Sequence, residues 1–431
     1  MVILAFSFAD RLALGIVLQD IKTDLDLSDT QLGFLTGIAF ALFYAIMGVP
    51  IARWADRGDR VKIISLAIAV WSAGVALCSF ATSFLQLLLI RIGVAVGEAG
   101  CLPPSHSLIA DFFTRAERPR AVSRFMLGGP LALTIGLFAA GWLNEFYGWR
   151  ATFAIIGLPG LALATLAALT LKEPRRAKTA GTLSIASGLQ THPQSSFEPS
   201  FKDACARLWA NGAYRHLVLC YSVWAFFGWG ILQWQPAFFI RSHGLQTGEL
   251  GTWFALVHGL AAGAGVYLGG ELAGRYAANN ERLQLLACAV AFVFFAVVNA
   301  CAYLVSDHYV AFGALMLAAI GGNTAQGPIL ATIQTLVAPR MRAISIAVVF
   351  FFSNLIGAGL GPLAAGALSD ALQPSMGQES LRYALVILCP GYFWASWHLL
   401  RASRSVAHDL KAAQIADSDP ATSANPWATA K

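Results

Sequence analysis

Charged side chains are scarce in this chain. Only 12% of its 431 residues are charged, 57% are hydrophobic, and the mean hydropathy is +0.63. Soluble globular domains carry about 25% charged residues, so this composition excludes an ordinary soluble protein. Apolar runs of roughly 18 or more residues recur, and each is long enough as a helix to cross a hydrocarbon core of about 30 Å. A membrane barrel would instead need alternating segments of ~10 residues.

Patterns that carry enzymatic chemistry are missing as well. The seven cysteines have neither metal-ligand nor disulfide spacing, and we find no constellation of nucleophile and base. The glycine-rich stretch "GAGVYLGG" lies inside an apolar run and not after a strand, so its glycines indicate helix packing and not phosphate binding. We therefore expect no metal, no cofactor, no enzymatic turnover and no nucleotide-driven pumping.

Twelve apolar segments predict an all-α membrane protein. Because the first segment begins at Met1 without a polar leader, we expect the true N-terminus to be missing or misassigned, and no cleaved signal peptide. The predicted spans are 1–18, 32–52, 63–83, 84–110, 121–144, 151–171, 216–240, 250–273, 283–305, 309–334, 344–369 and 381–400.

One long polar break divides these spans into two sets of six. We expect an N-terminal half (1–171), a cytoplasmic linker (172–215), a C-terminal half (216–402) and a cytoplasmic tail (403–431). The linker is rich in Ser, Gly, Gln and Pro, and its last part, "FKDACARLWANG", is spaced like a short surface helix. The tail is polar and is predicted to be disordered.

Basic residues predict the orientation. Of the 29 lysines and arginines, 23 fall in the breaks after even-numbered spans, within a few residues of them, or in the tail. The positive-inside rule therefore places both termini in the cytoplasm. Most of the net charge of +6 comes from the basic residues that set this topology, so it does not indicate a nucleic-acid partner. The opposite side holds only Lys22, Arg150, Arg241 and Arg382.

A cytoplasmic turn is repeated in the two halves. The chain reads "ARWADRGDRVK" after span 2 and "GELAGRYAANNER" after span 8, about half the chain later. Two six-helix halves with a repeated turn are typical of secondary transporters. The first copy resembles the signature Gly-x-Leu-Ala-Asp-Arg-x-Gly-Arg-Lys of the major facilitator superfamily, with matches at Asp56, Arg57 and Arg60. The resemblance implies a cytoplasmic gate at these residues; the alternative is a solvated charged turn that fixes topology.

A longer stretch resembles one branch of that superfamily. "FADRLALGIVLQDIKTDLDLSDTQLGFLTG", "RIGVAVGEAGCLPPSHSLIADFF" and "GWRATFAIIGLPG" are similar to the Spinster family of lipid transporters. The resemblance implies alternating access, movement of sphingosine-1-phosphate or a lysophospholipid, and work as a monomer. Compact loops suggest a bacterial member, and hence the inner membrane.

Four charges lie well inside predicted spans: Asp10, Arg11, Arg91 and Glu98. Each would cost roughly 2.5 to 3.5 kcal/mol at a lipid-facing midplane, so they should face the protein interior. Arg91 and Glu98 share a helix face about 10.5 Å apart along the axis. Ending span 1 at residue 18 puts Asp10 and Arg11 about 11 to 12 Å from the outer end, close to the depth of Arg91 at roughly 10 Å, so these three residues are expected to meet. Glu98 lies deeper, at roughly 21 Å.

The charges form a neutral set, and this suggests a mechanism. Protonation of Asp10 or Glu98 would free Arg11 or Arg91, whose planar guanidinium suits a phosphate. We predict that Asp10 and Glu98 carry the proton and that Arg11 and Arg91 bind the headgroup. The alternative is a permanent ion-pair set that only holds span 1 against span 4.

The second half carries aromatic residues and no interior acid. Tyr221, Trp224 and Phe227 of span 7 are candidates for binding an acyl tail, although such helices more often pack or face lipid. The polar candidates there are His258, Asn323 and Gln326, each of which could instead make a helix-to-helix hydrogen bond.

The favoured function is a proton-coupled lipid transporter. A transporter of small organic anions or drugs could use the same charges. A membrane receptor that transports nothing is a third reading, but it leaves the interior charges unexplained. The expected partners are a lipid-like substrate, protons and the bilayer.

Overall fold

The computed structural model describes residues 1–114, 117, 121, 124–174, 201–337 and 341–418, except the side chains of 49, 52, 56, 110, 201–205, 343 and 413–418. Almost all of these residues are helical, and none forms a strand. In chain order the helices are α1 (Val2–Leu25), α2 (Asp29–Thr36), α3 (Ile38–Arg57), α4 (Arg60–Cys78), α5 (Phe84–Ala99), α6 (Leu102–Phe112), α7 (Gly128–Leu131), α8 (Leu137–Thr170), α9 (Phe201–Ala210), α10 (Gly212–His243), α11 (Thr247–Phe254), α12 (Ala262–Tyr276), α13 (Glu281–Leu304), α14 (His308–Asn323), α15 (Gln326–Thr335), α16 (Arg342–Phe352), α17 (Gly361–Met376), α18 (Ser380–Leu388) and α19 (Gly391–Ser418).

In each of the twelve predicted spans most of the described residues are helical, so the predicted fold class is confirmed. Nine continuous helices within the described ranges are long and apolar enough to cross a membrane. Two of them hold two spans each, because the chain bends at Gly148 (φ 76°) inside α8 and at Gly377 (φ 56°) after α17. Positive φ is a conformation that glycine adopts without strain. The tenth predicted span is divided at Thr324 between α14 and α15.

Two predicted ends were wrong. Helix α1 runs seven residues past residue 18 and stops only where Asp26 turns left-handed (φ 50°). The predicted disorder of the tail is wrong as far as Ser418, because α19 continues there and buries Val406 completely. Asp409 also accepts a hydrogen bond from the backbone N–H of Ala213 at 2.8 Å, which caps the start of α10. Residues 419–431 lie outside the described part.

Most of the predicted linker also lies outside the described part. A helix, α9, is present at Phe201–Ala210, where the sequence predicts one. We call α1–α8 the N half and α10–α19 the C half.

Glycines let the helices of the N half pack closely. A Cβ on Gly97 of α5 would lie 2.7 Å from the backbone nitrogen of Trp71 on α4. A Cβ on Gly157 of α8 would lie 2.5 Å from the backbone nitrogen of Ala76, also on α4. Such close backbone approach is how membrane helices gain contact without a hydrophobic driving force. The result is a rigid frame that fixes α5, which carries two of the buried charges.

Candidate substrate site

Helices α1 and α5 bring the four predicted charges together in two pairs. Arg91 Nη1 donates to Asp10 Oδ2 at 3.2 Å. Arg11 Nε donates to Glu98 Oε2 at 2.7 Å, and Arg11 Nη2 donates to the same oxygen. Ser7 Oγ donates to that oxygen as well, at 3.0 Å. The pairs cross: Asp10 and Arg11 are neighbours on α1, but their partners Arg91 and Glu98 lie two turns apart on α5. We call these four residues the charge cluster.

The charge cluster is buried but not fully satisfied. Asp10, Arg91 and Glu98 are 1%, 2% and 1% exposed, whereas the side chain of Arg11 is 25% exposed. Asp10 Oδ1, Glu98 Oε1 and Arg91 Nε have no hydrogen-bond partner within the described part of the chain. Unpaired polar atoms in a buried site are costly, so each of them is a place for a proton or a ligand atom.

Aromatic rings hold the arginines in place. The guanidinium of Arg11 lies 4.3 Å from the ring centre of Phe40 and 4.9 Å from that of Tyr44. Arg91 lies 5.5 Å from the same Phe40 ring. These rings stabilise the cations by cation–π attraction without competing for their hydrogen bonds. Sequence reasoning missed them; their only signal is a spacing of four residues on α3, which places both on one face.

The length of α1 corrects the predicted depths. Arg11 lies 14 residues before the end of α1 at Leu25, and Glu98 lies 14 residues after the start of α5 at Phe84. Both positions are therefore about 21 Å from the same end of the bundle. The prediction that Arg11 lies about 10 Å from Glu98 in depth was wrong because span 1 was ended too early.

The predicted gate residues occupy the other end of the N half. The side chain of Asp56 lies outside the described part, and Arg57 is exposed at the end of α3. Arg60 is completely buried and binds Glu173, with Nη2 donating to Oε1 at 2.5 Å and the backbone N–H donating to Oε2 at 2.7 Å. It also pairs with Asp111 at 2.7 Å. Asp111 belongs to the N half and Glu173 follows directly after α8, so Arg60 holds the end of α8 against the N half. The gate itself stays a prediction.

A cavity of about 250 Å³ lies in the C half. Its lining includes Trp224, His258, Asn323 and Gln326 from the predicted set. Gln326 Nε2 donates to Asn323 Oδ1 at 2.7 Å, so these two polar residues support each other at the break between α14 and α15.

Two predicted lining residues lie elsewhere. Tyr221 is 6% exposed, and its ring packs against Phe350, 6.0 Å between centres. The Phe227 ring fills the space beside Gly391, where a Cβ would lie 2.2 Å from it. Both face neighbouring helices of the C half because α10 presents different aromatic residues to different sides.

The halves are joined at one end by a set of charged and polar residues that we call the Asp29 clasp: Lys22, Asp29, Arg241, Ser369 and Asp370. Arg241 donates to both carboxylate oxygens of Asp29, each at 2.7 Å, and Ser369 donates to Asp29 Oδ2 at 2.7 Å. Asp370 accepts from the backbone N–H groups of Asp29 and Thr30 at 3.0 and 2.7 Å, which caps α2. Lys22 completes the set at 2.5 Å from Asp29.

A second contact closes the same end. Asn144 of the N half donates to Thr247 Oγ1 of the C half at 3.2 Å, and Glu145 accepts from the backbone N–H of Gly248 at 2.7 Å. Between described residues, every hydrogen bond that joins the halves lies at this end, remote from Arg60. Neither contact could be predicted from the sequence, because the residues that form each one are far apart along the chain.

Comparisons with known proteins agree with this architecture. Residues 1–362 match the sequence profile of the Major Facilitator Superfamily. An MFS-type efflux pump of Mycolicibacterium smegmatis is 31% identical over 89% of this chain and 86% of its own length. The sphingosine-1-phosphate transporter SPNS2 of Danio rerio is 27% identical over 89% of this chain and 78% of its own length.

A solved structure is similar over nearly the whole chain. It is that of a bacterial homolog of the human lysosomal transporter Spinster, in an inward-facing and unoccupied conformation. It matches with a TM-score of 0.85 and 30% identity, covering 94% of this chain and 96% of that one. The chain therefore belongs to the Major Facilitator Superfamily of membrane transporters, which are not enzymes, and within it is similar to the Spinster proteins.

Proposed function

We propose that this transporter moves an anionic amphiphile of the sphingosine-1-phosphate or lysophospholipid type and couples that movement to protons. The observation that carries the proposal is the crossed pairing of the charge cluster, in which each buried carboxylate has one bound and one unpaired oxygen. A purely structural ion pair would be expected to have all its polar atoms hydrogen-bonded, because a buried pair stabilises the folded protein only under that condition.

The coupling follows from exchange of partners. When Glu98 takes a proton, it no longer neutralises Arg11, and the guanidinium becomes free to bind a phosphate with two parallel N–H bonds. Asp10 and Arg91 can exchange in the same way. A substrate phosphate and the carboxylate charges then compete for the same arginines, so binding of the headgroup and binding of the proton are linked.

The cavity of the C half supports an amphiphile over a small solute. Tryptophan, phenylalanine and aliphatic side chains dominate its lining, and the described part of that lining holds no Asp, Glu, Lys or Arg. An acyl tail is stabilised there by burial of about 25 cal/mol for each Å² of apolar surface. The charged N half would hold the headgroup and the apolar C half the tail.

We further propose that the Arg60 end faces the cytoplasm and that a single copy works alone in a bacterial inner membrane. The orientation is supported by the excess of lysine and arginine in the breaks at that end. With the Asp29 clasp closed, the site would then be open toward the cytoplasm.

A second candidate is a transporter of small organic anions or drugs. The partly exposed guanidinium of Arg11 would bind a carboxylate as well as a phosphate. The similarity to an efflux pump is compatible with this reading. This second candidate function does not explain why the cavity of the C half is apolar.

The test is transport in proteoliposomes. A lysophospholipid, sphingosine-1-phosphate and a small sugar acid are each offered, with and without a pH gradient. We expect the amphiphiles to move and the gradient to increase their rate, whereas the sugar acid stays behind. Movement of the sugar acid alone would refute the lipid proposal and favour the second candidate.

A further inference from the structure

Four polar side chains of the C half form a continuous hydrogen-bonded chain that the charge cluster does not involve. Gln235 of α10 stands at its centre. Gln235 Oε1 lies 2.7 Å from His258 Nε2, and Gln235 Nε2 donates to Tyr303 Oη at 2.7 Å. Tyr303 Oη donates in turn to Asn299 Oδ1 at 3.3 Å. This hydrogen-bonded chain links α10, the π-helical segment after α11, and α13.

The orientation of the Gln235 amide sets the direction of this chain. A carboxamide oxygen only accepts, so His258 Nε2 carries the proton that it donates to Gln235. His258 Nδ1 is then an acceptor, and the Asn299 amide is a donor at the other end. Within the described part of the structure neither atom makes a hydrogen bond, and both keep some accessible surface.

Both open ends border the cavity. Gln235, His258 and Asn299 are lining residues, whereas Tyr303 is completely buried behind them. A ligand that covers these two accessible atoms displaces the water there. If it does not bond them, each is left buried and unpaired at a cost of about 1 to 3 kcal/mol, so a ligand that supplies the missing bonds is favoured. With no ionised side chain along the described lining, a charged group would find no counter-ion and would pay for its desolvation.

We propose that this chain is a recognition site for an uncharged hydroxyl or ester group of the substrate, located between the headgroup and the acyl tail. The inference rests on the proposed function, since it assumes that the cavity receives the apolar part of an anionic amphiphile. It adds a specificity element: the transporter selects amphiphiles with a polar linker over plain alkyl phosphates.

Two probes of equal chain length separate these cases, a lysophosphatidate and an alkyl phosphate. Both carry a phosphate and one chain, but only the lysophosphatidate has an ester and a hydroxyl. In proteoliposomes we expect the wild-type protein to prefer the lysophosphatidate about tenfold in kcat/KM, because sites built for a hydrogen bond reject analogues that lack it. Thermal stabilisation of the detergent-solubilised wild type by each probe measures the same preference without a variant.

Variants locate the preference. Asn299→Leu removes the open donor and should bring the ratio of the two probes close to one; Tyr303→Phe, which keeps the ring, should lower it partly. Asn279→Leu, the same kind of change in an exposed turn, should leave the preference intact. If the wild type moves both probes equally, the inference is wrong while the proposed function stands. If it moves neither, the proposed function fails and the inference falls with it.

Discussion

Asp10 and Arg11 are neighbours in the chain, yet neither neutralises the other. Successive residues on a helix point about 100° apart, so each meets a different part of α5. Arg91 and Glu98 lie two turns apart on that helix and receive them separately. The arrangement keeps four charges neutral as a set while leaving each carboxylate one oxygen short of partners. A proton and an anionic headgroup that enter together can therefore keep the set close to neutral, so that no lone charge is left in a low-dielectric interior.

Breaking one pair should be costly, and removing both partners should not. Arg91→Met leaves Asp10 buried without its cation and should lower the free energy of unfolding by about 3 to 5 kcal/mol. Asp10→Asn combined with Arg91→Met should recover most of that loss. Thermal unfolding in detergent measures both. Arg404→Met, at an exposed site, is the control and should change little. If Arg91→Met leaves the free energy of unfolding unchanged, Arg91 does not neutralise Asp10.

The shape of the Arg11 side chain should matter as well as its charge. Arg11→Lys keeps the charge but loses the planar fork, so a phosphate gains fewer bonds. A charge-assisted hydrogen bond contributes about 1.5 to 3 kcal/mol, so we expect KM for the amphiphile to rise about tenfold or more. Steady-state transport by reconstituted protein measures this, with Arg404→Lys as the control. An unchanged KM would remove Arg11 from the headgroup site.

At the scale of single residues, the sequence revealed the charges and not their surroundings. A charge inside an apolar run is rare enough to stand out, so Asp10, Arg11, Arg91 and Glu98 could all be found. Phe40, Gln235 and Asn299 could not, because single aromatic or amide residues are ordinary in apolar helices. Their role depends on which helices pack together, and a single sequence does not state that.

Breaks in the α-helices of the N half lie against breaks in those of the C half, along two lines of contact that we call seams. Gly37 separates α2 from α3, and a Cβ there would lie 2.3 Å from the backbone oxygen of Gly359 in the π-helical segment between α16 and α17. On the other seam, a Cβ on Gly259 would lie 2.2 Å from Thr134 Oγ1, and both residues belong to π-helical segments. Two breaks thus face each other at each seam, where the halves approach closely.

A side chain at such a seam should be resisted. Gly37→Ala places its methyl group against a backbone oxygen that has little room to move, so the protein should lose about 1 to 3 kcal/mol of stability. Gly263→Ala, on α12 with nothing within 4 Å, should be neutral or slightly stabilising because alanine favours the helix. Melting temperatures in detergent compare the two variants. Equal values would mean that the Gly37 seam can separate at little cost.

Helix existence was predictable and helix detail was not. Long apolar runs indicated all twelve spans because the bilayer fixes their length and character. The π-helical segments have no sequence mark beyond common glycines. The end of α1 was missed because its last turns, "QDIKTDL", are polar, and the helical tail was missed because a polar sequence can still be held by contacts such as Asp409 with Ala213.

The whole molecule is closed at one end, and the Asp29 clasp is the main ionic contact there. Arg241 binds Asp29 through both of its oxygens, across the two halves, while Asp370 caps α2 from the C half. Alternating access requires these bonds to break whenever that end opens. The strength of the clasp therefore sets the balance between the closed and open arrangements.

Weakening the clasp should shift that balance. Arg241→Gln removes the two bonds to Asp29 and should raise the population open at that end about tenfold, for a loss of about 1.4 kcal/mol. Spin labels at Phe146 and Tyr309, both exposed near that end, report the distance between the halves in a cysteine-free background. Arg150→Gln is the matched control, because Arg150 pairs with Asp24 in an exposed contact inside the N half. A distance distribution that Arg241→Gln leaves unchanged would show that the clasp does not control opening.

The most direct test of the central claim is to measure proton movement and lipid movement together in proteoliposomes, for the wild type and Glu98→Gln. If the charge cluster couples the two, a pH gradient drives a lysophospholipid in the wild type. In Glu98→Gln, which holds no exchangeable proton at this position, the gradient should no longer increase the rate, while lipid binding by the freed Arg11 persists. If Glu98→Gln still transports lipid in proportion to the gradient, Glu98 does not carry the proton and partner exchange at the Arg11–Glu98 pair is wrong.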